Sequence, residues 1–301
     1  MNILLLGENG ILSSRIKKYF QEIKDHKINS ISLRKKENLK IILLNIEKYI
    51  NNNDYDLVIN AIGPNYKQCE LDKDSAEIFY KILPTRFIEY CNIKHIRYLQ
   101  FSSIHSVNSN LGNCSINSPK DAVPKTLYGQ YHNNLEKIFL SDLNFEKYAS
   151  VVRLSNSIGP AKTNIFSENH WMSICNKLSY DLFSKKEITI KDPNLYKSFI
   201  PISLILENLR KIIIYEDPKP IYQYVINFKL KLNCLLQLLS KSFFLYPNEK
   251  RKIYALLKED FMQFVVKENW FTDINDCNID KYYFHFIYEL ENTFNTLFEI
   301  L

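Results

Sequence analysis

The chain opens on an unbroken apolar run, Ile3-Leu4-Leu5-Leu6. A turn of Gly7-Glu8-Asn9-Gly10 comes next, then a stretch with Ile16, Tyr19, Phe20 and Ile23 at helical spacing. A short continuous apolar run predicts a strand buried on both faces, and apolar recurrence every three to four residues predicts an amphipathic helix. The same alternation fills the first half. Strands are predicted over 28–33, briefly over 41–44, then over 56–63, 96–103 and 149–154. Helices are predicted over 46–51, 76–90 and 127–140. Strands separated by helices of this size imply an α/β fold with a parallel sheet covered on both faces.

Past Gly159 the pattern loosens. Helices over 170–185 and 204–215 alternate with short strands at 188–190 and 224–227, and the tail from Leu232 is largely helical and rich in Phe and Tyr. The pattern predicts a first domain over 1–160, rejoined by a strand near 224–227. A smaller, mostly helical C-terminal substrate domain is predicted over 161–301. The tail aromatics, including Phe261, Phe264, Trp270, Phe271, Tyr282, Tyr283, Phe284 and Phe286, read as the core of that domain rather than as a surface for stacking bases.

Composition narrows the function. The 301 residues carry 39 Lys and Arg against 33 Asp and Glu. The basic residues are scattered, which leaves no nucleic-acid footprint. No apolar run approaches the roughly 18 residues of a membrane span, and Met1 leads directly into the first strand. A cytoplasmic protein without membrane or nucleic-acid partners is expected. The six cysteines show no metal-ligand spacing, nor do the histidines, so no metal is expected and the thiols read as reduced and packed.

Glycine is the scarce residue, six in the whole chain against roughly 7% of residues in an ordinary one. Two of the six stand in Gly7-x-x-Gly10-x-x-Ser13. In a strand–turn–helix setting the first glycine makes the tight turn, and the second lets the backbone approach a pyrophosphate at the helix N-terminus. Ser13 is small enough for helix–strand packing. This predicts a Rossmann-like doubly wound parallel sheet with a nucleotide-cofactor site. After the second strand come Arg34-Lys35-Lys36 with no acid before Glu37. An arginine there suits a 2′-phosphate where a carboxylate would suit a ribose hydroxyl, so NADP(H) is favoured over NAD(H). Ser102-Ser103 at a strand end and Tyr128 on a helix can converge on a carbonyl, the serine polarising it and the tyrosine exchanging the proton. His132 lies one turn beyond Tyr128 on the same face.

Taken in order, these segments resemble the extended short-chain dehydrogenase/reductases, the group of nucleoside-diphosphate-sugar epimerases, dehydratases and ketoreductases. The matching residues are Gly7-x-x-Gly10, Asp56-Leu57-Val58-Ile59-Asn60-Ala61, Phe101-Ser102-Ser103, and Tyr128-Gly129 with Glu136. Further on, Arg153-Leu154-Ser155-Asn156-Ser157-Ile158-Gly159-Pro160 and Lys197-Ser198-Phe199-Ile200-Pro201-Ile202 match, and the set spans about two thirds of the chain. The resemblance implies that Gly7, Gly10, Ile11 and Leu12 hold a pyrophosphate, that Arg34 faces the adenosine ribose, and that Asn45 and Ile46 face the adenine. Ala61, Ile62, Gly63, Ser102 and Leu154 would complete the cofactor channel. Ser103 and Tyr128 would be catalytic, with His132 both catalytic and bound to the nicotinamide ribose. Ser103, His105 and Asn156 would meet the substrate, a nucleotide-linked sugar. A homodimer through the helices over 76–90 and 127–140 is also implied, the first of them carrying Ile78, Phe79, Leu83 and Phe87.

Two departures stand out. The family's Tyr-x-x-x-Lys is Tyr128-x-x-x-His132, and a histidine near pH 7 is cationic only part of the time. Val107-Asn108 stands where the family often has Tyr-Gly. His105 reads either as a polar lid over the substrate or as a loop residue facing solvent. The function implied is an NAD(P)-dependent ketoreductase or dehydrogenase on a nucleotide-linked sugar or related keto-sugar. Alternatives are an epimerase of the same family and a cofactor-binding protein without turnover. Ile104-His105, where dehydratases of the family carry an acidic pair, argues against dehydration.

Overall fold

In the computed structural model, Ile3, Leu4, Leu5 and Leu6 are all fully buried in strand β1 (Asn2–Leu6), so both faces of that strand are covered. The structure describes residues 1–23, 26–33, 43, 45–46, 50, 54–107, 123–141, 148–162, 171, 173–215, 219–224, 228–245, 250–267 and 278–300. Numbered in chain order, β2 (Lys27–Ile31), β3 (Leu57–Asn60), β4 (Arg97–Ser103), β5 (Ala149–Leu154) and β8 (Ile221–Tyr224) join β1 in one six-stranded sheet, in the order β2-β1-β3-β4-β5-β8. The pairs β1/β2, β1/β3, β3/β4 and β4/β5 are parallel. The order reverses between β1 and β3, the kind of switch point outside which α/β sheets bind ligands.

Helices α1 (Ile11–Glu22), α2 (Tyr66–Leu71), α3 (Lys73–Glu77), α4 (Leu83–Ile93) and α5 (Leu127–Leu140) accompany this sheet. One core gathers Leu4, Leu6, Val58, Leu83, Phe87, Tyr98, Leu135 and Phe139. Leu83 and Phe87 are thus buried inside their own chain, and Ile78 and Phe79 pack half-buried against them. The apolar face read as a subunit contact is largely occupied within the chain. Between α3 and α4 runs a π-turn, Ile78–Ile82, in which the Leu83 N–H reaches back to Ile78 O. Pro84, in the first turn of α4, has no N–H to give and crowds the carbonyl four residues earlier. The helix widens just before it.

The expected strand over 41–44 is corrected at Leu43, which is helical, as are Asn45, Ile46 and Ile50. A four-residue apolar run cannot be told from a helical segment by periodicity alone. The first unit comprises Met1–Leu154 and Lys211–Gln223, and the second Ser155–Arg210 and Tyr224–Leu301. The division falls at the end of β5 rather than at residue 160, because the next strand, β6 (Asn156–Ile158), pairs with β7 (Tyr196–Pro201) in another sheet.

That second sheet runs β10-β9-β7-β6, with β9 (Phe228–Lys231) and β10 (Val266–Lys267) antiparallel to their neighbours. Around it lie α6 (Ile174–Phe183), α8 (Leu232–Leu245), α9 (Lys250–Phe264) and α10 (Ile279–Ile300). Helix α7 (Ile202–Tyr215) begins in this unit. No strand forms over 188–190. Phe261 is fully buried with its ring 5.7, 4.9 and 5.1 Å from those of Tyr282, Tyr283 and Phe286, so these tail aromatics are core. Trp270 and Phe271 lie outside the described residues, and Phe284 is exposed. Among the described residues no helix is long and apolar enough to cross a membrane.

Candidate active site

The glycine loop comes directly after β1. Gly7 adopts φ +101°, and a Cβ there would come 3.1 Å from Ile62 Cγ1 and 3.5 Å from both Ala61 O and Ser13 Cβ. Only glycine suits that φ, and its bare backbone lets three segments meet: the loop, the start of α1 and the residues after β3. Gly10 is the exposed N-cap of α1, and its N–H donates to Ser13 Oγ at 3.0 Å. Ser13 therefore both packs tightly and braces the loop. Ile11 and Leu12 form the half-buried first turn of α1, where backbone N–H groups have no partner within the helix. Ala61 and Ile62 are half-buried and Gly63 is exposed. Asn60 Oδ1 holds the Ile62 N–H at 3.1 Å, while Asn60 Nδ2 donates to Tyr98 Oη and Gln100 Oε1 at 2.9 and 2.8 Å.

Gly63 opens the way to the second half of the site. A Cβ on it would meet Tyr80 Oη at 2.7 Å. Tyr80 comes from the π-turn and donates its one hydrogen to Pro64 O at 2.7 Å. Its ring lies 4.6 Å from that of His132 and 6.3 Å from that of Tyr128. Tyr80 was not foreseen. The signal available in the sequence was a tyrosine hydroxyl among the apolar residues over 78–87.

Helix α5 carries Tyr128, His132 and Glu136 at four-residue steps on one face. Thr126 caps it, accepting from the Gly129 N–H at 3.1 Å. Gly129 is needed for close approach, since a Cβ would fall 2.3 Å from His105 O. The helix and the 3₁₀ turn Ile104–Ser106 are pressed together there, and Asn133 Nδ2 adds a bond to Ser106 O at 3.1 Å. Tyr128 is half-buried with its hydroxyl hydrogen-bonded to Ser103 and Tyr80. Desolvation pushes its pKa up to about 12 against the lowering effect of the Ser103 bond. The two residues read as catalytic hydroxyls are thus brought into contact. His105 is half-buried in the turn, its ring 5.9 Å from that of Tyr128.

Below Tyr128 the face becomes a buried polar chain. His132 Nδ1 lies 3.2 Å from Ser102 Oγ, which donates to Glu136 Oε1 at 2.6 Å. Glu136 in turn takes Arg153 Nη2 on Oε2 at 2.5 Å and Arg153 Nε on Oε1 at 3.2 Å, with both side chains fully buried. Ser102 and Arg153 are direct partners in the β4/β5 register, as are Ser103 and Leu154. Ser102, expected among the cofactor contacts, directs its hydroxyl into this chain. Among the described residues, the buried His132 Nε2 has no hydrogen-bond partner. Burial, with His105 adding repulsion, drives the His132 pKa down to about 3. The ring is neutral at pH 7, where partial cationic character was expected.

Other sites fall elsewhere. Ile46 is buried in the core with Leu33, Ile50 and Tyr55, while Asn45 is exposed. Arg34, Lys35 and Lys36 lie outside the described residues. Asn156 belongs to the second unit, where its Nδ2 donates to Ser198 O at 2.9 Å. A carboxylate unforeseen in the sequence, Glu8, accepts from Lys17 Nζ at 2.7 Å and Ser30 Oγ at 3.3 Å, placing it over β2.

No family model matches the sequence, and no curated protein matches it either. Solved structures do match in fold. UDP-glucuronic acid 4-epimerase of Bacillus cereus, in complex with UDP-glucuronic acid and NAD, superposes with a TM-score of 0.71 at 13% identity over 100% of both chains. The dTDP-glucose 4,6-dehydratase of Bacillus anthracis, in complex with NAD, gives 0.67 at 15% identity over 100% of this chain and 97% of that one. A dTDP-4-dehydrorhamnose reductase of Clostridium acetobutylicum gives 0.64 at 16% identity over 81% of each. The chain shares the fold of these enzymes, the doubly wound α/β fold that the sequence motifs implied.

The neutral His132 has a consequence for stability. Its folded pKa of about 3 lies below the ordinary value of 6.5, so below pH 6.5 the unfolded chain binds a proton that the folded chain refuses. Stability is then lost as pH falls from 6.5 toward 3. Urea melts across that window should show a shallower acid loss for His132→Gln than for the unsubstituted protein, and parallel curves would contradict the burial argument.

Proposed function

We propose that the protein is a nicotinamide-dependent oxidoreductase acting on a nucleotide-linked sugar or related keto-sugar, with Tyr128 and Ser103 at the reacting oxygen. One observation carries the reading. The Tyr128 hydroxyl is bonded to Ser103, and its ring lies 4.5 Å from that of His132, whose buried Nε2 has no hydrogen-bond partner among the described residues. The residues present also fit a dinucleotide: Gly7 and Gly10 leave backbone room at the N-terminus of α1, and the orphaned imidazole nitrogen awaits a polar partner. The bound cofactor would supply or take up the hydride. Gly7, Gly10, Ile11 and Leu12 would hold its pyrophosphate, and Ala61, Ile62, Gly63 and Leu154 would line its path. Ser103 would donate to the substrate oxygen and Tyr128 would exchange its proton. The sugar-nucleotide complexes among the fold's relatives point to the substrate class, with His105 as a candidate contact.

Tyr128→Phe removes only the hydroxyl. It should lower turnover of a keto-sugar nucleotide by about 10²–10⁴-fold while leaving cofactor affinity nearly unchanged. Full activity in that variant would sink the assignment. A second reading, a cofactor-binding protein without turnover, draws on the neutral His132, which places no cation beside a tyrosine held near pKa 12. Cofactor binding with no turnover across a panel of keto-sugar nucleotides would favour it. An epimerase differs in keeping its cofactor bound through the cycle.

Two finer points belong to the same reading. Arg34, followed by Lys35 and Lys36, favours NADP(H), and NADPH should raise the melting temperature more than NADH at equal concentration. Glu8 pulls the other way, because a carboxylate over β2 suits a ribose hydroxyl. A larger shift with NADH, narrowed by Glu8→Gln, would hand the choice to Glu8. Assembly as a homodimer rests on the family resemblance, and a monomer by light scattering at micromolar concentration would refute it.

A further inference from the structure

The buried chain beneath Tyr128 sets the polarity of His132. A carboxylate only accepts hydrogen bonds, and a serine hydroxyl has one hydrogen to give. Glu136 is held by Arg153 and takes the hydrogen of Ser102 at 2.6 Å. Ser102 Oγ can then only accept from His132 Nδ1, 3.2 Å away. Nδ1 therefore carries the hydrogen, which leaves a bare lone pair on Nε2. That atom is buried without a partner among the described residues, and a buried polar atom left so is uncommon enough to call for a missing group.

We propose that Ser102 and Glu136 are positioning residues that lock His132 as its Nδ1–H tautomer, so that Nε2 accepts a hydrogen bond from a ribose hydroxyl of the nicotinamide cofactor. The identity of that hydroxyl rests on the function proposed above; the lock itself does not. A lysine in this place could only donate, so the site has the opposite hydrogen-bond sense. The groups facing His132 are consistent with a ring that stays neutral. Tyr80 comes from the π-turn, Tyr128 and Glu136 from its own helix, Ser102 from β4 and His105 from the 3₁₀ turn, while Arg153 of β5 is matched by Glu136. The Glu136 carboxylate reaches the imidazole through the Ser102 hydroxyl and stabilises the Nδ1–H end. The lone pair on Nε2 is then present throughout pH 5–8.

The test uses the ligand-free, ¹⁵N-histidine-labelled full chain and long-range ¹H–¹⁵N correlation spectra, with His132 identified by the signal lost in His132→Gln. Nδ1 should show a pyrrole-like shift and Nε2 a pyridine-like one, both unchanged from pH 8 to pH 5. Ser102→Ala should replace this pattern with a tautomer mixture, and Ser102→Thr, which keeps the hydroxyl, should restore it. An Nε2–H tautomer or an imidazolium at pH 7 in the unsubstituted protein overturns the lock, as does an unaltered pattern in a folded Ser102→Ala. Saturation with NADPH or NADH should then move the Nε2 resonance while Nδ1 stays in place. A cofactor that binds without moving Nε2 overturns the ribose contact. A chain that binds neither cofactor refutes the functional reading instead, and the ligand-free spectrum still decides the lock.

Discussion

The ion pair between Arg153 and Glu136 is the constraint on which the candidate site depends. Both side chains are fully out of solvent, one on the last strand of the parallel run and the other in the middle of the helix that carries Tyr128. Two such charges are tolerated in a core only as a well-bonded pair, and removing one partner typically costs about 3–5 kcal/mol because the survivor is left uncompensated. The pair therefore fixes the rotation of α5 against β5. With the helix face settled, His132 and Tyr128, one and two turns earlier, have no freedom to point elsewhere.

The other end of the site is arranged by the absence of side chains. Gly7 and Gly63 leave room where the ends of β1 and β3 lie next to each other, and Tyr80 enters through the space beside Gly63. Gly129 does the same for the turn after β4. Three of the six glycines thus stand where backbone, helix and sheet edge crowd together, and a fourth, Gly10, opens helix α1. A chain so poor in glycine has placed most of it along one edge of one sheet.

Much of this was legible in the sequence, and for physical reasons. Strand β1 announced itself as a run too apolar to face water on either side, and the glycine turn after it needed a backbone that only glycine provides. Tyr128 and Ser103 were legible because hydroxyls at a strand end and in the first turn of the next helix lie at the same sheet edge. The partnership of Glu136 with Arg153 was not readable as geometry, since it depends on the register of β4 with β5 and on how α5 rolls across them. Neither was the protonation of His132, which is set by burial. Glu8 looked like an ordinary loop residue because its partners, Lys17 and Ser30, lie on two different elements. The strand expected over 41–44 failed at Leu43, the one described residue of a run that satisfies helix and strand alike.

The π-turn over Ile78–Ile82 can be viewed as one residue inserted into an otherwise regular helix. At 3.6 residues per turn, an added residue rotates the segment before it by about 100° relative to the segment after it. The helix can therefore turn Leu83 and Phe87 into the core and still present Tyr80 to His132 from a different azimuth. Removing a single residue from this turn would restore a straight helix and swing Tyr80 off the imidazole. A one-codon deletion far from the glycine loop would then dismantle one wall of the site while the sheet stays whole.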